Sequence, residues 1–159
     1  MQDPRARFVA VFRGLIVCAC LIATCCAKAS PTAPSTPGSV VLSQKTVVIE
    51  SSVTVDLEDG VIMASLANED IWYEAISSTE SYLTPRNGSK VATYGSTSPG
   101  YAGCSAAPLA AARIPIPSLS AGVYLCARTR NLHYGQLRLD QVPTPGVLGP
   151  ITVTYTIWR

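Results

Sequence analysis

The chain predicts an all-β, antiparallel domain of about seven to nine strands, most simply a two-layer sandwich, with a partly closed barrel as the alternative. Three observations carry that expectation. Apolar and polar residues alternate with period two in several short runs after residue 40, as strands wet on one face require. Twelve prolines are spread over 159 residues, and an interior proline breaks a helix by removing a backbone donor and clashing with the preceding turn. No stretch after residue 40 sustains a helical period.

Taken in order, residues 1–29 read as an export signal. Arg5, Arg7 and Arg13 precede an uncharged run from Gly14 to Ala27, which ends in the small-x-small triplet Ala27-Lys28-Ala29. That run is shorter than the roughly 20 apolar residues needed to cross a bilayer. Cleavage after Ala29 discards Cys18, Cys20, Cys25 and Cys26. A lipoprotein route is the alternative, because Ile22-Ala23-Thr24-Cys25 approximates the pattern before a lipidated cysteine; lipidated Cys25 would then be the only membrane attachment. The expected location is secreted or cell surface.

Residues 30–39, SPTAPSTPGS, form an extended linker with nothing to bury. The folded domain spans residues 40–159. Phe8 and Phe12, the only phenylalanines, fall in the leader, so the core must be built from aliphatics, tyrosines and Trp72 and Trp158.

Within the domain, Val53, Val55 and Leu57 alternate with Thr54 and Asp56, and Glu58-Asp59-Gly60 ends the run as a turn. Ile71, Tyr73 and Ala75 point one way, Trp72, Glu74 and Ile76 the other. Arg86-Asn87-Gly88-Ser89 between two strand-like runs predicts a tight hairpin, with Pro85 placing its strand at a sheet edge. The same Asn87-Gly88-Ser89 matches a glycosylation sequon, which the turn explains without sugar. Gly95 to Ala112 reads as a long irregular loop carrying Cys104. Gly122 to Asp140 reads as a central hairpin: Val123, Leu125 and Ala127 face the core with Gly135, Leu137 and Leu139 on the return strand. Ile151, Val153, Tyr155 and Ile157 form the last inward row.

Cys104 and Cys126 are the cysteines left after cleavage. In an exported chain they are most simply one disulfide, the alternative being two free thiols. Such a bond would pin the loop to the hairpin.

Sites of chemistry are sparse. His133 is the only histidine and sits at the hairpin tip, where solvation is the expectation; no Gly-x-Ser-x-Gly elbow accompanies it. The mature chain lacks the usual His/Cys ligand sets for zinc. Asp56–Gly60 departs from calcium-loop spacing and lacks the glutamate at the twelfth position. Glu69-Asp70 and the pair Glu74 and Glu80 are read as solvated acids. No cofactor is expected.

Removing the leader leaves eight basic and nine acidic residues, and no basic cluster with interleaved aromatics supports nucleic-acid binding. The acids concentrate between Lys45 and Glu80 and the bases from Arg86 onward. Cross-strand pairing of the early acids with Arg128, Arg130 and Arg138 accounts for this split; a basic face meeting an anionic polymer is the alternative. Trp72, Tyr101, Tyr134 and Trp158 are the candidates for a ligand surface, with core burial of the tryptophans the competing reading.

The ordered pieces Val55–Gly60, Tyr82–Gly88, Gly103-Cys104, Ile114-Pro115, Ala121–Thr129, Tyr134–Arg138 and Tyr155–Trp158 resemble a group of small exported bacterial β-rich modules of unassigned activity. The resemblance implies secretion, a β fold and the disulfide, and brings no catalytic residue. It departs at Leu132-His133, where the pattern has Gly followed by Arg, which argues against a shared binding role for the tip. The expected function is a non-catalytic exported or cell-surface binding or structural module with an extracellular carbohydrate or protein ligand. The alternatives are a small secreted hydrolase, or an inhibitor of one that uses Gly95–Ala112 as a rigid insert.

Overall fold

The structure, a computed structural model, describes residues 39–63 and 68–159, within one compact unit, Ser35–Arg159. The segment read as an export signal, most of the expected linker and the Cys25 lipidation reading lie outside the described residues. The strands are β1 (Val41–Ile49), β2 (Thr54–Asp56), β3 (Val61–Met63), β4 (Ile71–Ala75), β5 (Ser81–Pro85), β6 (Lys90–Gly95), β7 (Ile114–Pro115), β8 (Tyr124–Arg128), β9 (Tyr134–Gln141) and β10 (Ile151–Trp158); one helix, α1 (Gly100–Ala106), follows β6.

Two five-stranded antiparallel sheets result, in the orders β1-β10-β9-β8-β6 and β3-β2-β4-β5-β7. Each has two open ends, so the fold is a sandwich and not a closed barrel. The ten strands exceed the seven to nine expected because β3 and β7 are only three and two residues long, too short to show an alternation.

The inner rows are those the sequence marks. Tyr155, Leu137 and Leu125 stand side by side across β10, β9 and β8 and are buried with Val153, Ile157 and Leu139. From the second sheet come Val55, Ile71, Tyr73 and Leu83. Tyr73 keeps its ring in the core and donates its hydroxyl to the Gly149 carbonyl at 2.9 Å, tying down the β9–β10 connection. Gly135 is required by space: a Cβ there would overlap Ile157 Cδ1 and approach the Thr156 carbonyl oxygen to 3.2 Å.

Several local expectations are corrected. Asn87 and Gly88 do take positive φ, at 51° and 85°, and the Ser89 amide bonds the Arg86 carbonyl. Yet β5 and β6 belong to different sheets, so this is a crossing corner and not a hairpin. The reason is tertiary: Ser89 Oγ donates to the Asp70 carbonyl and Asn87 Nδ2 to the Glu69 carbonyl, anchoring the corner to the chain entering β4. Nor is β5 an edge strand, since β7 pairs with its Tyr82 and Leu83. Pro85 lies past that short pairing, where no donor is needed.

Gly95 to Ala112 is not irregular throughout, because α1 lies within it. Of the tryptophans, Trp158 is buried and Trp72 half-buried, though neither belongs to the cluster between the sheets. Thr54 and Asp56, expected on a wet face, are buried.

The long edge strand β1 is guarded. A bulge interrupts its pairing between Val41 and Ser43, and Lys45, beside inward-facing Tyr155, donates to the Asp59 carbonyl. Bulges and inward-turned charges are devices that discourage edge-to-edge pairing.

Candidate functional site

The predicted ligand residues divide between the two outer faces. On the first sheet, Tyr134 and Trp158 are direct neighbours across β9 and β10, and Tyr101 of α1 lies over them. Its ring centroid is 6.0 Å from Tyr134 and 6.2 Å from Trp158, both edge-to-face, the geometry that aromatic quadrupoles favour. Trp158 is only 9% exposed because α1 covers it. Trp72 is on the other sheet, with the Arg86 guanidinium 5.4 Å from its ring centroid.

A seven-residue helix containing two glycines has little stability of its own. Tertiary contacts hold α1 in place. Gln136 Oε1 accepts from the Gly100 amide at 3.1 Å and from Ser98 Oγ at 2.8 Å. The Cys104–Cys126 disulfide joins the helix to β8, and both sulfurs belong to fully buried residues. Farther along the segment, Val91 and Ala110 exchange two backbone hydrogen bonds. The segment read as a possible inhibitory insert is thus tied to the sheet at three points.

On the same face, four residues farther along β9 and β10, runs a polar line across β1, β10 and β9. Thr154 Oγ1 donates to Asp140 Oδ2 at 2.5 Å, so its contact with Thr46 at 2.7 Å makes Thr46 the donor there. Arg138 pairs with Asp140 at 3.0 Å, two residues along its own strand. Its expected partner among the early acids is therefore not the one it takes. Arg130 does reach an early acid, Asp56, at 3.6 Å, while no ion pair involves Arg128 among the described residues.

His133 overturns the expectation of a solvated tip. Its Nδ1 lies 2.6 Å from Glu58 Oε1. Hydrogen bonds hold Glu58 ionised, so Nδ1 carries the proton and donates. Thr129 Oγ1 donates to the same carboxylate at 2.7 Å and Asn131 Nδ2 to its other oxygen. Burial acts to raise the Glu58 carboxyl, but these bonds and the His133 charge outweigh it and leave it below the ordinary 4.5. Among the described residues no hydroxyl or thiol is hydrogen-bonded to His133 Nε2.

The acids read as solvated have partners as well. Asp56 Oδ1 accepts from the Glu58 and Asp59 amides, capping its own turn. Asp70 is fully buried and accepts the Leu57 amide at 3.0 Å and the Arg130 amide at 2.8 Å. Glu69, with a side chain 1% exposed, pairs with Arg86 at 3.9 Å. Glu74 accepts from Thr84 and pairs with Arg113, which stacks 3.8 Å from the Tyr82 ring centroid. Among the described residues no cluster of three or more His, Cys, Asp or Glu is arranged to hold a metal ion, and no helix is long and apolar enough to cross a membrane. An open groove of about 330 Å³ near β7 is lined by Glu80, Tyr82, Pro115, Pro117 and Ser118, among others.

The described residues therefore form a two-sheet antiparallel β-sandwich whose helix α1 is fastened by the Cys104–Cys126 disulfide. No family model, curated protein or solved structure matches the chain.

Proposed function

We propose that this chain is a non-catalytic exported or cell-surface binding module, and that its ligand surface is the outer face of the sheet containing β9 and β10. One observation carries the reading: Tyr101 and Tyr134, packed with buried Trp158, share one outer face with the line Thr46, Thr154, Asp140 and Arg138, four residues farther along β9 and β10. Aromatic rings next to hydroxyl, carboxylate and guanidinium groups suit a sugar, whose C–H face stacks while its hydroxyls hydrogen-bond. Arg138 and Asp140 neutralise each other, which favours an uncharged glycan. The reading of residues 1–29 as an export signal and the Cys104–Cys126 disulfide are compatible with an extracellular setting.

The test is affinity for a panel of neutral polysaccharides, measured for the wild type and for Tyr101→Ala, Tyr134→Ala and Trp72→Ala. Loss of one aromatic contact is expected to weaken binding about tenfold for either tyrosine variant, with Trp72→Ala unchanged. Absence of binding across the panel, or equal loss in Trp72→Ala, would sink the reading. The Glu58–His133 pair favours a second reading, a small hydrolase with an oriented base. Cleavage of the same sugars, lost in His133→Ala, would put that reading first.

A further inference from the structure

We propose that the contact between the hairpin tip Thr129–His133 and the turn Val55–Gly60 is a pH-gated latch, closed in mild acid and loosened toward neutral pH. Its geometry rests on one buried carboxylate that staples two distant segments, since Asp70 takes the Leu57 amide of the turn and the Arg130 amide of the tip. Among the described residues no cation pairs with it directly: the Arg130 guanidinium goes to Asp56, and His133 goes to Glu58.

The charged groups around Asp70 come from every neighbouring element. Asp56 ends β2, and Glu58 and Asp59 lie on the turn after it, with Lys45 of β1 bonded to the Asp59 carbonyl. Arg130 and His133 belong to the tip. Tyr155 comes from β10 and feels the charges of Asp56, Asp59 and Asp70. Glu69 precedes Asp70 and pairs with Arg86. With Asp56, Glu58 and Asp70 all ionised, three carboxylates face one guanidinium and one imidazole in a partly dry site.

Burial pushes the Asp70 carboxyl up to about 6 from the ordinary 3.8; the two amide hydrogen bonds oppose this, and Asp56 and Glu58 add to it. A raised carboxyl binds its proton more tightly in the closed state. Its contribution to closure is full below 3.8 and is lost as pH rises through about 6. Glu58 has the opposite sign: its contribution is present above 4.5 and fades as pH falls through its lowered value. Above 4.5 Glu58 adds no further gain while Asp70 is already losing its share, so the latch is tightest at or below 4.5 and loosens as pH rises through about 6.

Amide hydrogen exchange at Leu57 and Arg130, corrected for intrinsic rates, reads the latch directly. Its opening constant is expected to be about tenfold larger near pH 7.5 than near pH 5, with Asp70→Asn removing the difference. In the wild type, the Asp70 carboxyl should titrate near 6 by NMR, which decides the matter even if Asp70→Asn fails to fold. Equal opening at both pH values, greater opening in acid, an Asp70 midpoint near the ordinary 3.8, or exchange of Leu57 and Arg130 only together with the core amide of Leu125 would each overturn the proposal.

Discussion

Leu137→Ala is expected to destabilise the domain by about 2–5 kcal/mol, read from urea denaturation of the wild type and the variant. Leu137 sits on β9, the middle strand of its sheet, in register with Tyr155 on one side and Leu125 on the other. Tyr155 and Leu125 are fully buried and Leu137 nearly so, so truncation leaves a space that no exposed neighbour can relax to fill. The cost is the lost transfer free energy of the removed methyl groups plus that of the cavity. A change under about 1 kcal/mol would mean that the two sheets do not meet at this row.

Reducing the Cys104–Cys126 bond, or replacing both cysteines with serine, is expected to cost about 3 kcal/mol, since the bond closes a loop of 22 residues. The loss should be local in character. β8 and β9 keep their own ladder of five residue pairs, whereas α1 is left to the Gln136 contacts, the packing of Tyr101 on Tyr134 and Trp158, and the Val91–Ala110 bridge. Denaturation with and without reductant gives the magnitude. Near-ultraviolet circular dichroism should change through Tyr101 and Trp158, which lose each other when the helix leaves. Unchanged stability on complete reduction would show that the helix is held by its other contacts.

The inner rows were legible in the sequence because period two is a local signal: Ile151, Val153, Tyr155 and Ile157 face inward as their spacing requires. What escaped was decided by residues far apart. The Asn87-Gly88 turn has the expected backbone, but turn chemistry sets only the reversal of direction. Which sheet receives the next strand depends on Ser89 meeting Asp70, 19 residues earlier. Helix α1 could not be read from propensity because a disulfide and Gln136 hold it. Glu58 and Asp70 looked like surface acids, yet their partners at Thr129–His133 lie 60 to 75 residues along the chain.

Of the four ligand candidates, three gather around α1 because Tyr101 is carried there by the same helix that the disulfide fastens. Trp72 stands apart because β4 belongs to the other sheet. Period two correctly turned Trp72 and Trp158 away from the interior rows. It could not reveal that α1 would cover one and Arg86 the other.

The most direct test of the binding account is an amide and side-chain NMR map of the domain titrated with a neutral oligosaccharide that it retains. The account predicts perturbations at Tyr101, Tyr134, Thr154, Arg138 and Asp140, with the tip at Thr129–His133 and the groove at Tyr82 and Pro117 unchanged. Perturbations centred on that groove or on the tip, with the Tyr101 face silent, would contradict it.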